Sequence, residues 1–453
     1  MSKYKLVTFP KGGIHPPENK ITSNIPIIDF KIPKRVTIHV QQHIGAPAKI
    51  LVKPKDKVLT GQLIAEATGF ISANIHSSVT GTVFKIEDVY DASGYRKTAI
   101  TINAEQEDQW VDGVDLSDEL KTDFQNFTSE QIIEKVKQAG IVGLGGATFP
   151  SHVKLSVPHG KKCDLLIING VECEPYLTGD HRLMLEKTEE ILIGAQLLMK
   201  ALKTDRAVIG IEANKPDAIE KMLQATKKYP NISVQPLKVK YPQGGEKQLI
   251  KAITGREVPS GGLPIDVGVV VHNVGTTFAV YEAVMKNKPL IERVLTVTGK
   301  NVANPGNFRV RIGTPIKELI EYVGGLPDGT GKVILGGPMM GKAVKNLDVP
   351  VGKGTSGILL LPYNLTKRKK PDPCIRCGRC VQACPMGLEP YLIMAYAQKS
   401  MWDKAEEHHA QDCIMCGSCS FVCPANRPLQ DYTQFARNEV IKIIKARRAA
   451  QKK

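Results

Sequence analysis

Eight cysteines near the carboxyl end constrain this chain more than any other feature. They form two copies of one run, Cys-x-x-Cys-x-x-Cys-x-x-x-Cys-Pro, and their positions are Cys374, Cys377, Cys380, Cys384, Cys413, Cys416, Cys419 and Cys423. Three thiolates at a spacing of three surround one cube of iron and sulfide. The fourth, before proline, points toward the other cube in two-cluster proteins. We therefore predict two [4Fe–4S] clusters with interleaved ligands.

Interleaving assigns each fourth cysteine to the opposite run. The site named cluster one takes Cys374, Cys377, Cys380 and Cys423, and the site named cluster two takes Cys413, Cys416, Cys419 and Cys384. The alternative is zinc, whose sites use two cysteine pairs separated by a longer gap. A third cysteine at the same spacing has no purpose in such a site, so iron–sulfur chemistry is favoured. We expect the two remaining cysteines, Cys163 and Cys173, to be buried thiols.

Composition limits the class of partner. The 453 residues carry a formal charge of +16, which favours an acidic partner or an anionic membrane surface. The basic residues are dispersed and do not alternate with aromatic ones, so we expect no nucleic acid partner. The first twenty residues lack the apolar stretch of a signal peptide, and no run of 18 apolar residues occurs. We expect a protein that lies against a membrane without spanning it.

The pattern along the chain predicts a multidomain α/β plus β protein. We expect an irregular segment (1–35), a β barrel-sandwich (36–110), a Rossmann-like α/β domain (120–290), a small β-grasp unit (291–350), a linker (351–370), a helical, ferredoxin-like two-cluster domain (371–437) and a basic tail helix (438–453). The barrel-sandwich resembles biotinyl and lipoyl domains. Its stretch 67–77 has no lysine, so we expect an unmodified copy. The α/β domain should open with a helix capped by Ser129.

Four loops of the α/β region carry the candidate ligand-binding residues. The first, 143–150, is GLGGATFP and precedes Lys154; its glycines would let backbone N–H groups approach a phosphate. On that loop alone, a structural turn is an equally good interpretation. Segments 169–176, 241–247 and 272–277 follow apolar stretches and carry polar residues or glycines. Such positions bind ligands in α/β sheets, so the four loops together indicate a nucleotide-sized ligand.

Several motifs, in order and over essentially the whole chain, resemble the RnfC family. They are GGIHPP, GLGGATFPSHVKL, INGVECEPYLTGDHRLM, YPQGGEKQL, HNVGT, NPGNFRVRIGTP and GGPMMG, together with the twin cysteine runs. RnfC (RsxC) is the cluster-bearing subunit of the Rnf ion-translocating electron transport complex. The α/β region also resembles the NADH- and FMN-binding subunit of respiratory complex I, and 291–350 resembles the SLBB domain that follows it there.

The resemblance implies FMN as a cofactor and NAD(H) as a substrate. It marks Glu174 and Phe149 as catalytic, and it marks as cofactor-binding Gly143, Gly145, Gly146, Lys154, Asn169, Glu172, Gly245, Glu246, Asn273 and Thr276. Three positions depart from the pattern: Thr148 replaces a glycine, Gly275 replaces an acid and His272 replaces an asparagine.

The function that the resemblance implies is electron transfer between NAD(H) and ferredoxin-like or membrane redox partners, coupled to ion translocation. The expected partners are the other Rnf subunits (membrane subunits and a ferredoxin-type subunit), NADH and an anionic membrane surface. The expected location is the cytoplasmic side of a bacterial inner membrane, as a peripheral protein. Two alternatives remain: a flavin and iron–sulfur cobalamin reductase of the propanediol-utilisation type, and a non-enzymatic electron-transfer scaffold.

Overall fold

The computed structural model describes residues 4–451, and within them the chain forms seventeen strands and fourteen α-helices. The strands make four sheets, and the C-terminal part is helical. The elements below are numbered in chain order, beginning with strand β1 (Ile27–Asp29).

Two small antiparallel sheets form the β barrel-sandwich, as predicted. Their orders are β2-β8-β7-β4 and β3-β5-β6, and the strands are β2 (Arg35–His39), β3 (Lys49–Ile50), β4 (Lys57–Val58), β5 (Leu63–Glu66), β6 (Ile75–His76), β7 (Gly81–Tyr90) and β8 (Arg96–Ala104). Alternate apolar side chains of both sheets meet in one core, which includes Val36, Ile38, Ile64, Ile75 and Ile100.

The α/β region has a parallel sheet in the order β11-β10-β9-β12. Its elements are α1 (Ser129–Gln138), α2 (Ser151–Leu155), β9 (Leu165–Asn169), α3 (Gly179–Glu186), α4 (Thr188–Leu202), β10 (Ala207–Glu212), α5 (Pro216–Ala225), β11 (Ile232–Leu237), α6 (Glu246–Thr254), β12 (Val269–Asn273) and α7 (Val274–Met285). Helices cover the sheet, so β9, β10 and β12 are almost wholly buried. The strand order reverses between β9 and β12, and open α/β sheets bind ligands at such a point.

The cap of α1 differs from the prediction. Thr128, not Ser129, is the N-cap residue, because its hydroxyl accepts the backbone N–H of Gln131 while the Gln131 side chain accepts the N–H of Thr128. Ser129 is already helical, and its hydroxyl donates to the carbonyl of Ala201 instead.

A six-stranded mixed sheet follows, in the order β1-β14-β13-β17-β15-β16. Besides β1, its strands are β13 (Glu292–Thr298), β14 (Gly306–Arg311), β15 (Thr330–Leu335), β16 (Lys342–Val344) and β17 (Gly357–Pro362). Helix α8 (Ile316–Tyr322) connects β14 to β15, and a short helix α9 (Tyr363–Thr366) follows β17. The sequence interpretation placed β1 in an irregular segment and β17 in a linker. Both are strands because each finds a distant partner; β17, almost wholly buried, lies between β13 and β15.

The C-terminal region is helical, with α10 (Arg379–Ala383), α11 (Pro390–Gln398), α12 (Trp402–Glu407), α13 (Ser418–Phe421) and α14 (Leu429–Ala450). The tail helix predicted from residue 438 is the second part of α14. This helix begins nine residues earlier because Leu429, Thr433, Ala436 and Val440 bury one face against the cluster region. Among residues 4–451, no helix combines the length and the apolar character that a membrane crossing requires.

Candidate cofactor sites

Two asparagines lie side by side where the parallel sheet reverses its order. Asn169 ends β9, Asn273 ends β12, and the two are partners in the strand register. The Asn169 side-chain amide donates to the carbonyl of Gly244 at 2.9 Å. The Asn273 Oδ1 accepts the backbone N–H groups of Gly275 (2.9 Å) and Thr276 (3.2 Å), and so caps α7. Three of the predicted loops are thereby fixed at one edge of the sheet.

The glycine loop 143–150 closes over this edge. Its ends are held together because the N–H of Gly143 donates to the carbonyl of Phe149 at 2.8 Å, and the N–H of Leu144 donates to the Thr276 hydroxyl at 2.8 Å. A side chain at Gly145 would come within 3.4 Å of the Asn273 Cβ, whereas Gly146, with φ +111°, borders open space. The loop thus presents bare backbone to solvent directly above Asn273, as a ligand-binding loop requires.

Glu172 connects this edge to helix α3. Its carboxylate accepts the backbone N–H groups of Asp180 (2.8 Å) and His181 (3.2 Å) at the start of that helix. Lys20, from the amino-terminal segment, donates to the carbonyls of Glu172 (2.7 Å) and Glu174 (2.9 Å). The loop after β9 is therefore held on two sides.

Sequence reasoning did not identify Asp180 and Arg293, which complete this group. The Asp180 carboxylate accepts the Asn273 side-chain amide at 2.6 Å. Removal from water, followed by the nearby Glu172 charge, raises the pKa of Asp180 to about 6. Arg293 is buried, lies near both carboxylates and donates to the carbonyl of Leu144 at 2.8 Å.

Asp180 brings a carboxylate close to a position where this chain departs from the motif. The resemblance leads us to expect an acid at position 275, where this chain has glycine. A Cβ placed on Gly275 would be only 3.5 Å from an Asp180 carboxylate oxygen. The sequence does contain a signal that Asp180 is a candidate site residue, because it belongs to the motif INGVECEPYLTGDHRLM. Its proximity to Gly275, however, is visible only in the folded structure.

Lys154 and Glu246 form an ion pair at 2.7 Å, with 29% and 40% of their side chains exposed. Lys154 also donates to the carbonyl of Val271, and Glu246 begins α6 directly after Gly245. The neighbouring His272 is buried, and its Nε2 has no hydrogen-bond partner among the described residues. Burial, and then the Lys154 charge, lower the pKa of His272 to about 3, so this imidazole is neutral at physiological pH.

Glu174, predicted to be catalytic, has its contacts elsewhere. Its carboxylate accepts the backbone N–H groups of Met339 (3.0 Å) and Met340 (2.8 Å) from the GGPMMG loop, and it lies against the hydroxyl of Tyr241. Removal from water raises the pKa of Glu174 to about 7. These contacts place Glu174 at the junction with the cysteine region, and the described hydrogen bonds do not link it to the glycine loop.

The two cysteine runs fold alike. Arg376 and Met415 have φ of 55° and 57°, and Gly378 and Gly417 have φ of 73° and 78° before the short helices α10 and α13. Both runs therefore make the same tight turn, with glycine at a left-handed position. Equal spacing in the sequence produces an approximate structural repeat.

One cavity is lined by four cysteines drawn from both runs: Cys384, Cys413, Cys416 and Cys419. This is the set predicted for cluster two. Burial raises the pKa of all four thiols, to about 11 for Cys413. The charges of neighbouring cysteines add to the effect at Cys384, Cys413 and Cys419. Four enclosed thiolates repel one another unless a cationic centre neutralises them. The donor set therefore fits an iron–sulfur cluster.

The set predicted for cluster one lies farther out. Cys374 and Cys377 are exposed, and Cys380 and Cys423 are half-buried. The charge of Cys423 acts on Cys380, which indicates that these cysteines from different runs are neighbours. The alternative of zinc requires a tighter arrangement, because zinc would bring four sulfurs to about 2.3 Å from one ion. Within residues 4–451, no three His, Cys, Asp or Glu side chains are grouped closely enough to hold a single metal ion.

The amino-terminal motif GGIHPP packs on cluster two. Gly12, with φ +64°, lies so close to the Cys384–Pro385 peptide that a Cβ would be 2.4 Å from the Cys384 carbonyl carbon. The N–H of Gly13 donates to the carbonyl of Ala383 at 3.0 Å, and Ile14 pairs with Tyr241 as an antiparallel bridge. This segment therefore joins a cluster ligand to the α/β region.

Comparison with known domain families agrees with this arrangement. Models match for the RnfC barrel sandwich hybrid domain (residues 7–107), the Nuo51 FMN-binding domain (136–282), the SLBB domain (294–343) and a 4Fe-4S dicluster domain (366–432). An FMN-binding domain joined to a dicluster domain defines an iron–sulfur flavoprotein.

The chain belongs to the RnfC family of ion-translocating oxidoreductase complexes. It is 48% identical to the corresponding subunit of the proton-translocating ferredoxin:NAD(+) oxidoreductase complex of Clostridium ljungdahlii, over 95% of this chain and 93% of that protein. It is 47% identical to the Na(+)-translocating counterpart of Acetobacterium woodii (95% and 97%), and 46% identical to its counterpart in the ion-translocating oxidoreductase complex of Rhodobacter capsulatus (95% and 83%). A solved NAD+-reducing [NiFe]-hydrogenase chain is 19% identical with a TM-score of 0.48, over 70% of this chain and 62% of that one, a likeness too weak to inform function.

Proposed function

We propose that this chain is the subunit at which a ferredoxin:NAD+ oxidoreductase exchanges electrons with NAD(H), in a complex that couples the exchange to ion translocation. The observation that carries the proposal is the position of the cluster two cavity. Four cysteines line it, and one of them, Cys416, receives a hydrogen bond from Tyr241 of the α/β domain. A flavin site and a cluster site that are joined through one short turn suit a change from two-electron to one-electron transfer.

FMN, when bound, accepts a hydride and releases electrons one at a time. We assign its site to the edge formed by Asn169, Asn273 and the open glycine loop, with Thr276 holding that loop in place. Lys154 and Glu246 border the same edge, and the Lys154 ammonium suits an anionic ligand. Phe149 remains a predicted catalytic residue. Glu174 is better explained as a contact to the cluster region than as a group that touches the nicotinamide.

Cluster one is the proposed point of exchange with other subunits. Cys374 and Cys377 are exposed there, and the side chain of Ile375 between them is 67% exposed. Arg376, Arg379 and the basic segment 367–370 surround these residues and are also exposed. Positive charge around an apolar, accessible redox site favours an acidic one-electron partner, such as a ferredoxin-type subunit.

The same charge distribution supports a location for the chain. We propose that the chain is peripheral, on the cytoplasmic side of the bacterial inner membrane, beside the membrane subunits of the complex. The end of α14 carries exposed Lys442, Lys445, Arg447 and Arg448, which suit an anionic lipid surface. The relatives named above include both a proton- and a Na+-translocating complex, so membership of the family does not specify the ion.

The test is anaerobic purification followed by iron, acid-labile sulfide and flavin analysis, with NADH oxidation measured against an artificial acceptor. We expect about eight irons per chain, one FMN, and NADH-dependent reduction of the acceptor. The variant Gly146→Val should lose flavin and activity while keeping its iron, because it fills the open face of the glycine loop. Wild-type protein that carries iron but neither binds FMN nor reacts with NADH would support the non-enzymatic scaffold instead.

A further inference from the structure

The turn at 241–246 touches both candidate cofactor sites. At one end, the carbonyl of Gly244 accepts the side-chain amide of Asn169, at the proposed flavin edge. At the other end, the hydroxyl of Tyr241 donates to the backbone carbonyl of Cys416, a predicted ligand of cluster two, at 2.9 Å. Only two residues, Pro242 and Gln243, therefore separate a contact to the flavin site from a contact to a cluster ligand.

Tyr241 is fixed more firmly than a packing residue requires. Its backbone N–H and carbonyl both pair with Ile14, at 2.9 and 2.8 Å. Its side chain is 2% exposed and lies in an apolar group that includes Ile14, Ala383 and Cys416. Ala383 in turn precedes Cys384, another predicted ligand of cluster two. The ring is thus held against both cysteine runs.

The hydroxyl of Tyr241 has two possible acceptors, and the geometry favours the Cys416 carbonyl. A phenol has a single hydrogen to donate. The Glu174 carboxylate lies against the same hydroxyl and also accepts the backbone N–H groups of Met339 and Met340. The Cys416 carbonyl oxygen is 2.9 Å from the phenol oxygen and cannot donate, so a hydrogen bond at that distance requires the phenol hydrogen. Hydrogen bonds to the shell of a metal ligand fix its orientation and tune its redox properties.

We propose that Tyr241 is a positioning residue for electron transfer between the flavin and cluster two. Its hydrogen bond fixes the distance between the Cys416 loop and the 241–246 turn. The rate of electron tunnelling between the flavin and cluster two depends on that distance. The inference rests on the proposed function. In the direction from NADH, one NADH and one proton reduce FMN. When the reduced flavin returns to its oxidised form, it gives one electron to each of the two clusters and releases two protons to water.

The variant Tyr241→Phe isolates this role, because it removes only the hydroxyl and keeps the ring that fills the apolar group. A matched control is Tyr281→Phe. Tyr281 is also buried, and its hydroxyl accepts the backbone N–H of Lys121 at 2.9 Å, but it lies on α7. Each change leaves one backbone group without its partner, a buried one at Cys416 and a part-buried one at Lys121, so a general loss of stability should affect both.

The experiment is rapid mixing of the flavin- and cluster-replete protein with NADH, following flavin and cluster absorbance separately. It is combined with redox titration of the cluster signals by electron paramagnetic resonance. For Tyr241→Phe we expect flavin reduction within twofold of wild type, cluster reduction slowed at least fivefold, and a shifted midpoint potential for one cluster only. Tyr281→Phe should match wild type in all three.

Two results would overturn the inference, and a third would overturn the proposed function on which it rests. Cluster reduction and potentials equal to wild type in Tyr241→Phe would overturn the inference. A loss of iron in Tyr241→Phe would also overturn it, because the residue would then be needed to bind the cluster rather than to position it for electron transfer. Failure of the proposed function is a different result, because there the wild-type flavin is not reduced by NADH at all.

Discussion

The side-chain amide of Asn273 donates a 2.6 Å hydrogen bond to the carboxylate of Asp180, and this contact joins the last strand of the parallel sheet to the helix that follows the first. Asn273 uses its other atom, Oδ1, to cap α7. One asparagine therefore fixes two elements at the proposed flavin edge, and its orientation depends on the charge of Asp180.

Replacing Asp180 by asparagine should lower the rate of NADH oxidation and flatten its pH dependence. The pKa of Asp180 is raised to about 6, so its carboxylate is protonated, and its bond to Asn273 weakened, as the pH falls through 6. Loss of a hydrogen bond to a charged group costs about 1.5–3 kcal/mol, so we expect a decrease of roughly tenfold or more. The measurement is the pH–rate profile from 5.5 to 8. An inflection near 6 that persists in Asp180→Asn would contradict the assignment.

Replacing Cys384 by serine should remove cluster two, although Cys384 belongs to the first run. The cavity groups it with three cysteines of the second run. We expect the paramagnetic signal that disappears in Cys384→Ser to be the one that disappears in Cys416→Ser, and Cys380→Ser to match Cys423→Ser. Each variant should retain about four irons.

The control for these variants is Cys163→Ser, because Cys163 is a buried thiol that donates to the carbonyl of Leu165, far along the chain from both runs. It should keep the full iron content. If Cys384→Ser instead resembled Cys380→Ser, the interleaved assignment would be wrong.

Replacing Gly12 by alanine should make cluster two more labile. Its Cβ would come within 2.4 Å of the Cys384 carbonyl carbon and oxygen, so the amino-terminal segment would have to move away from the cluster. We expect at least a threefold faster loss of iron to a chelator. Gly94→Ala is the matched control. Gly94 has a similar φ of +78° but no atom within 4 Å, so it incurs only the left-handed penalty of about 1–2 kcal/mol. Equal rates in both variants would contradict the contact.

His76 should make the protein less stable in mild acid. Burial, and then the charge of Lys353, lower its pKa to about 3, whereas the unfolded chain protonates near 6.5. The unfolded state therefore binds more protons as the pH falls below 6.5, and stability is lost in that range. Between pH 7.5 and 5.5 the loss from this residue is about 1.4 kcal/mol. The measurement is the free energy of unfolding by urea, under anaerobic conditions, at pH 7.5 and 5.5. Its decrease between the two pH values should be about 1.4 kcal/mol larger in the wild type than in His76→Gln. An equal decrease in both proteins would contradict the prediction.

Much of the site could be predicted from the sequence because the signals are local. The two cysteine runs, the glycine loop and the asparagines that end β9 and β12 occupy short motifs, and parallel strands bring their carboxyl ends together without further information. The family models confirm the fold class that these motifs indicated.

The parts that sequence reasoning missed depend on contacts between distant segments. Strand β17 completes a sheet with β13 and β15, and β1 pairs with β14 at the edge of the same sheet. Asp180 is beside Gly275 because α3 and α7 meet within the α/β domain, and Tyr241 is beside Cys416 because that domain packs against the cysteine region. The catalytic role that the resemblance implies for Glu174 stays a prediction, but its motif does not reveal that the GGPMMG loop packs against the carboxylate.

The bond between Gly13 and Ala383 has a consequence for biosynthesis. At about 5–20 residues per second, a ribosome needs roughly 20 to 70 s to translate the stretch between them. Throughout that time the part of the cysteine region that Gly13 contacts has not been made, and the cysteines of cluster two do not yet exist. Iron delivery to this site is therefore a late event. The amino-terminal segment can pack against the cluster two site only after the ribosome has translated the cysteine runs.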